Sequence, residues 1–147
     1  MYVRELTVRY RLRRVRCLPF LEARLTTPRE AAAMLISILR SEIVEVCGLL
    51  CLSTRTEVLA YHELSRGTID MTFVHPRDVF RTALLAHAAS VIVAHNHPSG
   101  DVTPSVDDRV VTRRLKDAGQ VVGVELTDHL IVSADGTYFS FKESGIL

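Results

Sequence analysis

A chain of 147 residues with 48% hydrophobic and 24% charged side chains can bury the core of one domain, which excludes an intrinsically disordered chain. Its apolar runs fall far short of the roughly 20 residues that cross a bilayer, and the arginine-rich N-terminus lacks the apolar segment of a secretory signal, so we expect no membrane partner. The three cysteines form no CxxC pair, and we therefore expect a reduced, cytoplasmic setting.

The N-terminal residues are strongly basic, although the whole chain has a net charge of only +1. Residues 1–16 contain six arginines and one acidic residue, and apolar and polar side chains alternate from Leu6 to Arg13. This period of two predicts a strand with one buried face and one arginine face, within a basic extension of residues 1–26. Two interpretations of the arginines stay open: a solvated edge strand, which we favour, and a surface that contacts the phosphates of a nucleic acid.

From residue 27 onward, helix and strand patterns alternate. Thr27–Glu30 is a capping box with proline at the first helical position, which predicts a helix to about Arg40. The segments EVCGLLCLS and TEVLAYHELS predict paired strands, and HPRDVFRTALLAHAAS predicts a second helix. The all-apolar, β-branched segment SVIVAH predicts a central strand that is buried on both faces.

The last part of the chain begins with Thr103–Pro104, a second cap-then-proline pattern, which predicts a helix that ends at Gly119. The segments QVVGVELTD, HLIVSA and TYFSFKE predict three closing strands, with Asp128–His129 at a hairpin turn. Helices and strands in this order predict a single α/β domain with a mixed central β-sheet flanked by helices.

The segment HNHPSGDVTPSVDD, residues 95–108, places two histidines where the predicted central strand ends. Residues i and i+2 of a strand point to the same side, so His95 and His97 can converge on one point. Ser105 and Asp108 are i and i+3 near the start of the next helix, so Asp108 can complete a His-His-Asp triad with Ser105 beside it. Two imidazoles and one carboxylate suit Zn²⁺ and leave its fourth position for water. On spacing alone, the alternative is an incidental H-x-H followed by an ordinary Pro/Gly loop.

The spacing of these residues resembles a known metalloprotease motif. H-x-H, seven residues, Ser, two residues and Asp is the pattern of the JAMM/MPN family, and the form HNHPSGD…PSxxD is similar to its RadC-like bacterial branch. Three further segments resemble that branch in the same order: Arg66–Thr68, Val74–Arg77 and Asp128–His129. The resemblance covers residues 27–147 without a break and implies a RadC-like JAMM/MPN domain with a cytidine-deaminase-like architecture.

The resemblance also implies a role for each candidate residue. His95, His97 and Asp108 would bind Zn²⁺. Glu45, in the E-x-x-G-L-L pattern of EVCGLL, would hold the attacking water and move its proton. Ser105 would help to stabilise the oxyanion of the tetrahedral intermediate.

Several nearby residues have competing interpretations. Glu42 is the rival candidate for the base, but it precedes the apolar run and is expected in the turn from helix to strand. Glu45 itself has the alternative of a solvated carboxylate at a strand end. Cys47 and Cys51 share one face of a strand and are expected in the core. The remaining histidines are expected to be surface, capping or packing residues: His62, His75, His87 and His129.

We therefore expect a zinc-dependent metallohydrolase, a peptidase or isopeptidase that acts on a peptide or protein substrate through a metal-activated water. The alternative is a DNA-associated accessory module that uses the arginine strand, with a structural or inactive metal site. An HNH nuclease is excluded because such enzymes take their residues from separated parts of a ββα unit. A zinc deaminase is excluded because the sequence lacks H-x-E and P-C-x-x-C. The sequence does not indicate whether the protein is a monomer or an oligomer.

Overall fold

The computed structural model describes residue 11, residues 24–67 and residues 74–147. Apart from Arg11, the predicted arginine strand lies outside the described residues. The described chain contains three helices: α1 (Pro28–Leu39), α2 (Pro76–Leu85) and α3 (Val106–Val122). It contains five strands: β1 (Val46–Leu52), β2 (Val58–Arg66), β3 (Ser90–Asn96), β4 (Glu125–Val132) and β5 (Tyr138–Ser140).

The five strands form one mixed sheet in the order β2-β1-β3-β4-β5. β1 runs antiparallel to both β2 and β3, β3 runs parallel to β4, and β4 runs antiparallel to β5. A parallel pair needs a crossover connection, and α3 supplies it between β3 and β4. The structure therefore confirms the predicted α/β domain with a mixed central sheet flanked by helices. Within the described ranges, no helix is long and apolar enough to cross a membrane.

The sheet is covered on both faces, which explains why β1 and most of β3 consist of apolar residues. All 7 residues of β1 are buried, and β3 is buried from its second residue to its last. One face, with Leu49 and Val93, packs against α2 and α3, and the opposite face packs against Leu35 of α1. Cys47 and Cys51 lie in the core between the sheet and the α2–α3 pair, as predicted.

The N-cap residue determines where α1 and α3 begin. α1 begins as predicted, since the Thr27 hydroxyl accepts from the Glu30 amide and the Glu30 carboxylate accepts from the Thr27 amide. The predicted start of α3 is wrong by two residues. The Thr103 amide donates to Asp101 Oδ1 at 2.9 Å, so Thr103 belongs to the preceding turn. Ser105 is the N-cap of α3 instead.

The predicted end of α3 is also wrong. The helix continues past Gly119 and stops at Gly123, whose φ of 79° is the left-handed conformation that favours glycine. Residues 120–122, predicted as part of a strand, are therefore helical. Gly119 is needed for close packing, because a Cβ there would lie 2.5 Å from the carbonyl oxygen of Val124.

β4 is one continuous strand where the sequence predicts two strands and a turn at Asp128–His129. Its pairing with β3 shifts by one residue after Val91, which makes Thr127 the extra residue of a β-bulge. A bulge reverses the alternation of faces, so Leu126 and His129 both face the α2–α3 side although they are three residues apart. The predicted hairpin turn is wrong, and His129 lies inside the sheet.

Candidate metal centre

The three predicted metal ligands meet where the central strand of the sheet ends. His95 lies near the end of β3 and is fully buried, His97 follows the strand and is half-buried, and Asp108 is buried in the first turn of α3. His95 Nε2 lies 3.0 Å from His97 Nε2 and 3.4 Å from Asp108 Oδ1. One ligand atom from each residue lies within 4.8 Å of those of the other two. The fold therefore brings together the residues that the motif indicates.

The donor set could hold a metal ion, and two of its three separations match a tetrahedral zinc site. Nδ1 of His97 faces the backbone carbonyl of Asp101, which only accepts, so in the neutral ring Nδ1 carries the proton and Nε2 presents a lone pair. Zinc bonds of about 2.0–2.1 Å at tetrahedral angles separate two ligand atoms by about 3.3 Å. The separations of 3.0 and 3.4 Å are close to that value. Two nitrogens and one carboxylate oxygen would leave a fourth position for water, as in catalytic zinc sites.

The two carboxylate oxygens of Asp108 face different partners. Oδ1 faces His95, while Oδ2 accepts from the Ser105 amide and the Ser105 hydroxyl, both at 2.7 Å. The Ser105 hydroxyl in turn accepts from the Asp108 amide at 3.1 Å, which completes a capping box. The start of α3 therefore fixes the carboxylate and directs Oδ1 at the histidines. Ser105 itself is exposed beside them.

Three of the other histidines occupy the predicted kinds of position. His62 and His87 are exposed. His75 is the N-cap of α2, and its Nδ1 accepts from the Arg77 amide at 3.1 Å. His129 is a packing residue, as predicted, but it also contacts a candidate ligand.

A buried network behind His95 was not predicted from the sequence. His95 Nδ1 lies 3.1 Å from His129 Nε2, and His129 Nδ1 lies 2.6 Å from Thr112 Oγ1. The Thr112 hydroxyl donates to the Asp108 carbonyl at 2.6 Å. His129 stacks on Phe141, with ring centroids 4.8 Å apart and 10° between the ring planes. One signal was available for Thr112, which follows Asp108 by four residues and so lies on the same helix face.

Burial sets the charge of the two inner imidazoles. It lowers the pKa of His95 well below the usual range, and the neighbouring His129 adds to that effect. Burial also lowers the pKa of His129 to about 3. Both rings are therefore neutral at neutral pH, and the neutral imidazole is the form that binds a metal ion.

Glu45 precedes β1 and is held through its backbone from both sides. On the β3 side, the Asn96 carboxamide accepts from the Val46 amide at 2.7 Å and donates to the Val44 carbonyl at 3.0 Å. On the β2 side, the Gly67 amide donates to the Glu45 carbonyl at 2.9 Å. The last backbone pair between β1 and β3 is Cys47 with His95. Beyond it, the Asn96 side chain continues the hydrogen bonding between the two segments and holds the chain on either side of Glu45.

The face on which Glu45 lies follows from Cys47, two residues further along the extended chain. Cys47 pairs with His95 in the register of β1 and β3. Burial raises the pKa of the Cys47 thiol, and the charges of Glu45 and Asp108 raise it further. Alternation carried two residues back from Cys47, which packs on the α2–α3 face, predicts that Glu45 lies on the same side of the sheet as the candidate ligands.

Glu42, the rival candidate for the base, has a different environment. Its carboxylate accepts two hydrogen bonds from the Arg66 guanidinium, at 2.6 and 3.2 Å. Arg66 also donates to Glu63 at 2.8 Å, so the three side chains form one ion-pair group. Glu42 therefore belongs to an ion-pair group between α1 and β1.

An α/β domain with H-x-H at the end of the central strand of a mixed sheet, beside an aspartate in the first turn of a helix, defines a JAB-type domain with a candidate metal centre. The chain belongs to the RadC-like JAB domain family, because the model of that family matches residues 25–146. It is 56% identical over 109 residues to a UPF0758 protein of Thermotoga maritima, an alignment that covers 74% of this chain and 47% of that protein.

Two further relatives extend the comparison. A UPF0758 protein of Nitrosococcus oceani is 48% identical over 123 residues, which cover 84% of this chain and 54% of that protein. A UPF0758 protein of Clostridium acetobutylicum is 41% identical over 128 residues, which cover 87% of this chain and 56% of that protein. The chain therefore spans about half the length of the curated relatives it matches.

Proposed function

We propose that the protein is a zinc-dependent hydrolase that cleaves a peptide or isopeptide bond in a peptide or protein substrate. The observation that carries the proposal is the convergence of His95 Nε2, His97 Nε2 and Asp108 Oδ1, with separations of 3.0 and 3.4 Å from the first atom to the other two. Membership of the RadC-like JAB domain family supports this class of site. The name shared by the relatives, UPF0758 protein, states no activity.

With zinc bound, the site would keep a net positive charge. When bound by His95, His97 and Asp108, Zn²⁺ would lower the pKa of a water molecule to about 7 and polarise the carbonyl of the scissile bond. The two imidazoles are neutral and the carboxylate contributes one negative charge, so the ligands only partly neutralise a divalent cation. That remaining charge favours an oxyanion over a neutral carbonyl.

Glu45 is the proposed general base. Its carboxylate would take a proton from the attacking water and return it to the leaving amine. The hydrogen bonds of Asn96 and Gly67 to the backbone around Glu45 tie this segment to β3, which carries His95, and to the end of β2. Such positioning is what proton transfer requires, because the base must be within hydrogen-bond reach of the water.

Ser105 is the proposed donor to the oxyanion. In the structure its hydroxyl proton is directed at Asp108 Oδ2, so the hydroxyl must rotate to donate to a substrate oxygen. The Ser105 amide also donates to Asp108 Oδ2 and would keep the carboxylate in place during this rotation. Ser105 can therefore act on substrate without releasing the ligand.

The proposal is tested by mass spectrometry of products, which detects cleavage of any peptide in a complex mixture. Zinc-loaded wild type, Glu45→Gln and Glu42→Gln are incubated with peptide mixtures and with isopeptide-linked peptides, and new termini and freed lysine side chains are quantified. Glu42→Gln is the matched control, since it removes a nearby carboxylate that Arg66 already binds.

We expect products from wild type and Glu42→Gln, and none from Glu45→Gln although it retains zinc. Loss of activity in Glu42→Gln with full activity in Glu45→Gln would show that the base is misassigned. Equal product yields from wild type and Glu45→Gln, or no product from zinc-loaded wild type, would contradict the proposed hydrolysis.

A second candidate function is a DNA-associated accessory module. The observation that favours it is the set of six arginines among residues 1–16. In that case the arginines would contact phosphates and the metal site would be structural or inactive. We favour the hydrolase, because a purely structural metal site needs no carboxylate such as Glu45 to act as a base.

A further inference from the structure

The donors and acceptors in the buried network behind His95 are determined from its far end, the backbone carbonyl of Asp108. The carbonyl oxygen of Asp108 can only accept, so the single hydroxyl proton of Thr112 is donated to it at 2.6 Å. Towards His129 the Thr112 oxygen can then only accept. Nδ1 of His129, 2.6 Å away, must therefore carry the proton of that ring.

The same reasoning assigns the donor and the acceptor between His129 and His95. A charged imidazolium would be costly in the fully buried position of His129, so the ring carries one proton, and its Nε2 is an acceptor. His95 Nδ1 lies 3.1 Å from that acceptor and must donate to it. The neutral His95 ring then has no proton on Nε2, the atom that faces His97 and Asp108.

The network therefore determines which atoms meet at the metal centre. In the neutral His97 ring, Nε2 is also without a proton, because the Asp101 carbonyl accepts from Nδ1. His95 Nε2 therefore lies with its lone pair 3.0 Å from His97 Nε2 and 3.4 Å from Asp108 Oδ1. Three electron-rich atoms at these distances repel one another unless a cation lies between them.

We propose that His129 and Thr112 are positioning residues that fix the tautomer and the ring orientation of His95, and so keep its Nε2 available to a metal ion. The inference rests on the proposed metal site. Outer hydrogen bonds commonly set the tautomer of a metal-binding histidine, and the usual acceptor is a carboxylate or a backbone carbonyl. Here the acceptor is a second imidazole, which accepts the hydrogen bond without adding a charge to the site.

His129 is itself held in place, as a positioning residue must be. It pairs with Val93 in the β3–β4 register, directly beside the strand that carries His95. Its ring stacks on Phe141 with 10° between the planes. The chain of bonds ends on the backbone of Asp108, so it links two candidate ligands from different elements through the interior.

Thr112→Val is the first test, because it removes the hydroxyl and preserves the branched shape. The His129 Nδ1 proton then faces a methyl group and has no acceptor. The tautomer with the proton on Nε2 becomes the more stable one, because Nε2 can donate to His95 Nδ1. His95 must accept at Nδ1 and carry its own proton on Nε2. We expect the affinity for Zn²⁺, measured by competition with a chelator, to fall about 10–100-fold. Thr112→Ser should restore it.

A matched control is available on α2. Thr82 Oγ1 donates to the Asp78 carbonyl at 3.0 Å, the same side-chain bond to the preceding turn that Thr112 makes, but at a helix without a candidate ligand. Thr82→Val should therefore leave the affinity for Zn²⁺ unchanged. At position 129, His129→Gln places an amide near the Nε2 position and should retain more affinity than His129→Leu.

The tautomer is measured directly by ¹⁵N–¹H spectra of the imidazoles in the metal-free protein. We expect the His95 proton on Nδ1 in wild type and on Nε2 in Thr112→Val. A wild-type His95 with its proton on Nε2 would overturn the inference. Unchanged zinc affinity in a folded Thr112→Val protein, or a weaker affinity with an unchanged tautomer, would overturn it as well.

The failure of the proposed function is distinguishable from the failure of this inference. A folded wild-type chain that takes up no zinc would refute the metal site. The spectra of the metal-free protein would still decide whether Thr112 and His129 control the His95 ring.

Discussion

Ser105→Ala removes a hydroxyl that has two structural bonds and one proposed catalytic role. The hydroxyl accepts from the Asp108 amide at 3.1 Å and donates to Asp108 Oδ2 at 2.7 Å. Loss of an N-cap costs about 1 kcal/mol in the free energy of unfolding. For a chain of this size, that loss lowers the Tm by about 2–4 °C. Asp108 Oδ2 keeps the bond from the Ser105 amide, so we expect the affinity for zinc to fall only about tenfold.

The catalytic role predicts a much larger effect than the structural bonds do. A lost donor to the oxyanion lowers turnover by about 10²–10³-fold, measured with zinc at saturation so that the weaker binding does not contribute. Thr27→Ala is the matched control, because Thr27 caps α1 in the same kind of box with Glu30, away from the ligands. It should lower the Tm by a similar amount and leave zinc affinity and turnover unchanged.

Three measurements on the two variants decide the matter: thermal unfolding, chelator competition for zinc, and the rate of product formation. If Ser105→Ala resembled Thr27→Ala in all three, Ser105 would be a cap and no more. If Ser105→Ala had the same Tm as wild type in the metal-free protein, the capping geometry itself would be refuted.

Three further predictions follow from other parts of the chain. Zinc at 100 times its Kd should stabilise the fold by about 2.7 kcal/mol, and His97→Ala should abolish the rise in Tm. Asn96→Ala should speed hydrogen exchange at the Val46 amide and destabilise the protein by about 1–3 kcal/mol, because it unpairs buried backbone groups; unchanged exchange would contradict this. If the N-terminal arginines bind duplex DNA, log K should fall with log salt at about −0.9 per phosphate, and glutamine at Arg9, Arg11 and Arg13 should flatten that slope. We expect no such binding in wild type.

The candidate ligands could be predicted from sequence because local geometry determines their positions. Alternation along a strand places His95 and His97 on one side, and the cap-then-proline pattern at Thr103–Pro104 places Asp108 near a helix start. Neither fact depends on the rest of the fold. The exact cap was harder to predict, because Thr103 and Ser105 are both good N-cap residues and only the turn at Asp101 decides between them.

The network behind His95 could not be predicted, because it depends on a one-residue bulge. The segment around Asp128–His129 has the polar residues of a turn, and nothing local shows that it lies inside β4. Only the pairing with β3 reveals that Thr127 is the extra residue, and that the face of His129 is reversed as a result. The wrong prediction that α3 ends at Gly119 has a similar cause. This glycine is needed for close packing against Val124, and that contact cannot be seen in the local sequence.

The central claim is that His95, His97 and Asp108 bind one zinc ion. The most direct test is the metal content of protein purified without chelator and supplied with zinc, for wild type and for the double variant His95→Ala/His97→Ala. We predict about one zinc per wild-type chain and a strong loss of zinc in the double variant, with circular dichroism showing that both are folded. Stoichiometric zinc in the double variant, or a folded wild-type chain that takes up none from excess zinc, would contradict the claim.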